Sequence, residues 1–185
     1  MKFNVYDLIY RLNVVVKKRK NMARTIVTIV FFSALSMCST ILAGCPFCDP
    51  AVIENQIVYE DAFFRVLVDH APRIAGHLLA VPKRHVVMAQ EMTQEEWSDL
   101  HNIVPRIVQV FQQAYNTDQY IMLEKNGPFA GQSVLHVHFH LLPTPSHSSL
   151  PGIFLKIFDP LPKKLRKEET QEVVLRLRPY FEKTN

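Results

Sequence analysis

The strongest constraint on this chain is a row of three histidines about three quarters of the way along it. The row, residues 136–142, reads HVHFHLL, so a histidine stands at every second position and apolar residues fill the gaps. Alternate residues of a β-strand point to opposite faces, so the sequence predicts a strand over residues 134–142 with three imidazoles on one face. Each buried ring needs hydrogen-bond partners, so such a row is costly unless it performs chemistry.

Two kinds of chemistry use a row of this kind. One imidazole can act as a nucleophile while its neighbours orient it, because neutral imidazole is available near neutral pH. Alternatively, the rings can converge on a zinc ion. A glycine-rich loop over residues 127–134 leads directly into the row and contains Ser133. Backbone N–H groups and a hydroxyl in such a loop suit phosphate oxygens, so the loop favours nucleophilic attack on phosphorus.

The other segments predict an α+β fold with an antiparallel sheet, because strands come early, a long helix follows and strands return. The helix is expected over residues 93–115, with Thr93 as N-cap, Glu96 as its capping-box partner and Pro105 as a kink or break. Prolines between residues 143 and 162 predict an irregular connection. The remaining predictions are a hairpin at 56–68, strands at 76–82 and 120–123, and a final helix at 168–181.

The first 44 residues have the composition of a targeting leader. They hold seven lysines and arginines and one acid, a net +6, whereas the rest of the chain holds fourteen bases and sixteen acids, a net −2. Residues 25–44 carry no charge, which predicts a signal peptide or membrane anchor; the alternative is a buried helix.

The start is either Met1 or Met22. The charge asymmetry places the remaining residues outside the cytoplasm, with a cytoplasmic domain as the alternative. The residues after the leader carry no excess of positive charge, so nucleic-acid binding is not expected.

The segment GQSVLHVHFHLLP at residues 131–143 closely resembles the signature of the histidine triad (HIT) family. Residues 45–48, 58–61, 76–83 and 85 resemble the other blocks of that family in the same order. The resemblance implies an α+β HIT domain over residues 45–145, with an antiparallel sheet, one long helix and a sheet that continues across a homodimer. Residues 146–185 then form a C-terminal extension with a helix.

The resemblance also implies an activity. His138 would attack the α-phosphate of a nucleotide conjugate, a dinucleoside polyphosphate or a nucleoside phosphoramidate, and water would then release the monophosphate. His136 matches the supporting histidine, while His140 and Ser133 match residues that bind phosphate or assist the leaving group. Asp69 matches a ribose-contacting position. The substrate-binding set implied in this way is Asp69, Gln132, Lys125 and Asn126.

Lys125 departs from the family pattern, which often has asparagine at this position. A lysine there either favours more highly phosphorylated substrates or points to solvent, and the sequence leaves both interpretations open.

The pair Cys45 and Cys48 has the spacing of a zinc knuckle. The resemblance to zinc-bearing family members supplies His85 and His136 as the other two ligands, which predicts a structural zinc. Alternatives are a redox pair, a disulfide, or lipidation of Cys45 in the lipobox-like segment LAGC at residues 42–45. Lipidation and zinc binding exclude each other, because both use the Cys45 sulfur.

Two other functions remain open at this point. The first is a zinc-dependent hydrolase in which His136, His138 and His140 are the metal ligands, although no carboxylate lies within the row. The second is a nucleotide-binding protein of the same fold that has no catalytic activity. His77 is expected to be structural, and His70, His101 and His147 give no spacing signal.

Overall fold

The structure, a computed structural model, describes residues 44–145, 149–159 and 161–183. Residues 1–43 lie outside the described residues; they comprise the predicted leader except Gly44, and the first two residues of the lipobox-like segment. Within those ranges, no helix has both the length and the apolar character that crossing a membrane requires. The residues after Gly44 belong to one compact unit, Cys45–Asn185.

A five-stranded antiparallel sheet with helices confirms the α+β prediction. In chain order the elements are α1 (Pro50–Gln56), β1 (Ile57–Glu60), β2 (Phe64–Val68), β3 (Leu78–Pro82), α2 (Gln94–Tyr115), β4 (Tyr120–Glu124), β5 (Phe139–Pro143), α3 (Leu150–Ile157) and α4 (Lys167–Glu182). Short 3-10 turns occupy Ala89–Glu91 and Pro128–Ala130. The strands run in the order β1-β2-β3-β5-β4, and every neighbouring pair is antiparallel.

Helix α2 begins where its capping box predicts. The Thr93 hydroxyl accepts the Glu96 N–H at 3.2 Å, and the Glu96 carboxylate accepts the Thr93 N–H at 2.8 Å. Two N–H groups that have no partner inside the helix are thereby satisfied. Of the two outcomes expected at Pro105, the break is wrong, because the helix runs through that residue without interruption, and the kink stays a prediction. Its apolar stripe, which includes Leu100, Ile103, Ile107 and Phe111, is buried against the sheet.

The C-terminal extension completes the main core. Val174, Leu177 and Phe181 of α4 are buried in the same cluster as the apolar side chains of α2 and one face of the sheet. Two smaller clusters cover parts of the opposite face, one around Phe47 and Leu79 and one around Leu142. All three clusters lie after Gly44. Because this unit carries its own hydrophobic core, we expect residues 45–185 to fold without the leader.

Two predicted elements differ from the structure. Strand β5 begins at Phe139 and not at residue 134, because the preceding segment turns: the His136 N–H donates to the Val134 carbonyl, and the Val137 N–H donates to Val86. The connection after β5, expected to be irregular, contains α3. Ser149 caps that helix, and its proline lies in the first turn, where a missing N–H costs nothing. The position of the proline within the helix therefore explains the second error only.

Gly76 has a conformation that other residues adopt only with strain. Its φ is +86°, and a Cβ there would lie 2.7 Å from a ring carbon of Tyr115 and 2.8 Å from Pro143 Cγ. We expect Gly76→Ala to lower the free energy of unfolding by about 2 kcal/mol or more. Gly152→Ala in α3 is the control, with a change below about 1 kcal/mol expected. Equal effects of the two variants in urea denaturation would contradict this prediction.

Candidate active site

His138 is held as a neutral imidazole with one free nitrogen. It is 4% exposed, and its Nδ1–H donates to the main-chain carbonyl of His136 at 2.7 Å. The proton is therefore on Nδ1, which leaves the lone pair on Nε2. Burial lowers the pKa of His138, so the ring stays unprotonated at neutral pH. The Phe47 ring packs against the imidazole at a centroid distance of 5.2 Å. This arrangement suits a nucleophile.

The His136 side chain turns away from the other two histidines of the row. Its Nε2–H donates to the Pro82 carbonyl at 2.9 Å, so Nδ1 carries a lone pair. That nitrogen lies 3.4 Å from Cys45 Sγ and 3.6 Å from Cys48 Sγ. Burial lowers the pKa of His136 to about 4, which keeps the ring neutral. The ring thus belongs to a different site from His138, although the two residues are only two positions apart.

The predicted metal ligands Cys45, Cys48, His85 and His136 are brought together by the fold, and their donor atoms lie within 4.8 Å of one another. Cys48 Sγ is 3.3 Å from His85 Nδ1. Both cysteines are free thiols. Burial raises the pKa of Cys48 to about 11, with the neighbouring Cys45 as a further cause. Donors around a tetrahedral zinc lie about 3.5 Å apart, so these separations and the two-sulfur, two-nitrogen donor set fit zinc.

A chain of three polar side chains joins β2, β3 and β5. Asp69 Oδ2 lies 3.3 Å from His77 Nδ1, and His77 Nε2 lies 2.9 Å from His140 Nδ1. Burial lowers the pKa of His77 to about 4 and that of His140 to about 2. Both imidazoles are therefore neutral. His77 Nδ1 accepts the Arg73 N–H at 3.2 Å, so the His77 proton is on Nε2, which donates to His140 Nδ1. The chain fixes the orientation of His140 next to His138, whose ring centroid is 4.9 Å away.

His138 and His140 open onto a cleft of about 140 Å³ that also contains Ser133 and Lys125. The positive charge of Lys125 is one cause of the lowered pKa of both histidines, after burial. The Lys125 side chain passes over Gly131, where a Cβ would lie 3.6 Å from Lys125 Cδ. The residues that line the cleft are Asp69, His70, Ala71, Arg73, His77, Leu123, Lys125, Ser133, His138, His140, Leu142 and Ile157.

Two predicted substrate-binding residues do not line this cleft. The Gln132 side chain accepts the Gly127 N–H and donates to the Val87 carbonyl, both at 2.9 Å. The Asn126 side chain accepts the Ala89 N–H, also at 2.9 Å. Their amides fix the shape of the glycine-rich loop, and a direct contact with substrate stays a prediction. Asp69, Lys125 and Ser133 do line the cleft.

Sequence reasoning missed His77 and Arg73 as cleft residues. His77 was expected to be structural, yet it lies between Asp69 and His140. Its position in the sequence was the available signal, because Asp69 directly follows β2 and His77 directly precedes β3, which places the two residues opposite each other. In the structure the Asp69 N–H donates to the His77 carbonyl at 3.2 Å. Arg73 gave no such signal, because its contact with the carbonyl of Asp159 joins segments far apart in sequence.

The HIT domain family model matches residues 51–147. That match covers more than half of the chain, and the chain therefore belongs to the histidine triad family.

Individual relatives agree with this assignment. A bis(5'-adenosyl)-triphosphatase of Dictyostelium discoideum is 34% identical over 90 residues, which cover 49% of this chain and 60% of that protein. An adenosine 5'-monophosphoramidase of Schizosaccharomyces pombe is 32% identical over 107 residues, 56% of this chain and 76% of that protein. The solved structure of a hypothetical histidine triad nucleotide-binding protein of Sulfolobus tokodaii strain 7 aligns with a TM-score of 0.60 at 28% identity, covering 75% of this chain and 93% of that one.

Proposed function

We propose that this protein hydrolyses nucleotide conjugates through a nucleotidyl-histidine intermediate on His138. The observation that carries the proposal is the hydrogen bond from His138 Nδ1–H to the His136 carbonyl, which directs the Nε2 lone pair away from that carbonyl. The names of the two relatives support nucleotide hydrolysis, since one is a triphosphatase and the other a phosphoramidase.

The reaction has two balanced steps. The Nε2 lone pair of His138 forms a bond to the α-phosphorus, and the bond to the leaving group breaks with its electron pair, which takes up a proton from solvent water. A second water then attacks the same phosphorus and gives up a proton to solvent, the phosphorus–nitrogen bond breaks with its electron pair returning to Nε2, and the nucleoside monophosphate leaves. Lys125 and the Ser133 hydroxyl lie where they can stabilise the charge that develops on the phosphate oxygens. Incubation with dinucleoside polyphosphates and adenosine phosphoramidate, with chromatography of the products, tests the proposal directly.

The alternative of a catalytic metal held by the three histidines has no support from the geometry. Among the described residues, His136 groups with the two cysteines and His85, whereas His140 groups with Asp69 and His77. We propose instead that zinc in the four-ligand site of Cys45, Cys48, His85 and His136 is structural. Bound there, the ion supplies a rigid cross-link and leaves the cleft chemistry to the histidines.

We propose further that Lys125 favours substrates with several phosphates, because its side chain lines the cleft beside His138 and not the open surface. Lys125→Asn is expected to reduce kcat/KM for a diadenosine polyphosphate about tenfold more than for adenosine phosphoramidate, since a charge-assisted hydrogen bond is lost. Lys183→Asn, at the end of α4, is the charge-matched control. Equal losses for both substrates in the Lys125 variant would contradict this role.

A homodimer through β4 is also proposed. At the other edge of the sheet, α4 packs along β1, and Arg178 donates to the Ile57 carbonyl at 2.9 Å. In the described part of the chain no strand pairs with the outer edge of β4, where Tyr120 and Met122 are 39% and 40% exposed. Met122→Lys is expected to halve the mass measured by light scattering, because it places a charge in the joined sheet. A mass that is monomeric before the substitution would exclude this dimer.

A further inference from the structure

Helix α3 and the residues after it expose an apolar patch. Ile153 and Ile157 are buried against Leu142, which fixes the helix on the sheet. The opposite side of the helix faces solvent, and the Phe154 and Phe158 rings stack there with centroids 6.0 Å apart and planes 7° from parallel. Apolar patches of this kind mark interaction sites. The members of the patch are Phe154, Leu155, Phe158 and Leu161, with exposed fractions of 52%, 77%, 68% and 85%.

Positive charge is concentrated in the same segment of the chain as this patch. Residues 154–167 contain five lysines and arginines and one acid, Asp159, a net +4. The other residues of 45–185 contain nine bases and fifteen acids, a net −6. The bases are therefore concentrated beside the apolar side chains in an otherwise acidic unit. These five bases are Lys156, Lys163, Lys164, Arg166 and Lys167, all on the surface.

We propose that this patch docks on the surface of a bilayer that contains anionic lipid. Aromatic and aliphatic side chains beside lysines and arginines are the combination that binds a membrane interface: the rings enter the boundary between headgroups and acyl chains, and the cations remain with the lipid phosphates. Glu169 already pairs with Lys163 at 3.6 Å and with Arg166 at 3.5 Å. An apolar protein groove would offer no counter-charge to the other three bases, Lys156, Lys164 and Lys167, whereas anionic lipid would, so charge complementarity favours the bilayer. The proposal does not depend on the chemistry at His138.

Vesicle sedimentation of residues 45–185 tests the proposal without any contribution from the leader. This unit carries its own core, and circular dichroism verifies that each variant is folded. We expect at least about tenfold stronger binding to vesicles of phosphatidylcholine with phosphatidylserine than to phosphatidylcholine alone, with binding reduced by added salt. No binding to either vesicle, or equal binding to both, would overturn the proposal.

Three variants separate the contribution of the apolar side chains to vesicle binding from that of the positive charges. Replacing Phe154 and Phe158 with serine is expected to abolish vesicle binding, and replacing Lys156 and Lys164 with glutamate is expected to remove the preference for anionic lipid. Leu175→Ser is the control, because Leu175 is 65% exposed on α4 outside the patch. If the double serine variant changes the mass in light scattering while the parent unit binds no vesicle, a second copy covers the patch and the membrane proposal fails.

Discussion

His138→Ala is expected to reduce kcat by roughly 10⁴-fold or more on every substrate that the protein hydrolyses, because the variant has no nucleophile. Substrate binding should change little, since Lys125, Ser133 and His140 remain in the cleft. Stopped-flow or single-turnover measurements with the best substrate give kcat, and calorimetry with a non-hydrolysable analogue gives the affinity. The expected result is therefore a loss in kcat at nearly constant Kd.

Trapping the intermediate distinguishes a nucleophile from a residue that only orients others. Denaturation during turnover of a substrate labelled at the α-phosphate should leave the label on His138 of the parent protein and none on the variant. His77→Ala is the matched control, because it removes another buried cleft imidazole but leaves the His138 Nδ1 contact with the His136 carbonyl in place. Label on another residue, or full turnover by His138→Ala, would refute the proposed mechanism.

The residues that the sequence could locate were those with a local signal. Thr93 and Glu96 predicted the start of α2 because a capping box requires only three residues of separation. The histidine row predicted a chemical site, yet the prediction of one shared face failed, because the strand begins at Phe139 and the His136 ring turns toward the cysteines. A hydrogen bond from Val137 to Val86, 51 positions away, causes that turn, and periodicity contains no information about it.

The parts of the site that depend on distant packing could not be predicted. Ile157 lines the cleft because α3 folds back onto the sheet, and the prolines around α3 suggested that no helix was present. Arg73 is held by the carbonyl of Asp159, 86 positions later in the chain. His77 had a local signal, since it closes the β2–β3 connection opposite Asp69, but a single histidine gives no reason to expect a hydrogen bond to a cleft histidine over a buried structural ring.

Cys48→Ser is expected to lower the zinc content from about one ion per chain to nearly none, and the free energy of unfolding by about 2 kcal/mol or more, since metal binding to the folded state is folding free energy. The substitution should also lower kcat, although less than His138→Ala does. The His136 side chain belongs to the metal site, and the His136 carbonyl accepts the His138 Nδ1–H. Loss of the metal would therefore let His136 move, and the orientation of His138 Nε2 toward the substrate would be lost with it. Elemental analysis, urea denaturation and steady-state kinetics measure the three effects.

Two controls separate loss of the metal from general destabilisation. Cys48→His retains a zinc donor and should keep most of the metal and the activity. Leu177→Ala removes a fully buried side chain from α4, which costs about 2–5 kcal/mol, and should leave zinc content and kcat unchanged. The structural-zinc proposal fails if the parent unit is metal-free yet as stable as when zinc is added. It also fails if mass spectrometry finds a lipid on Cys45, because that sulfur is then no longer a thiolate ligand.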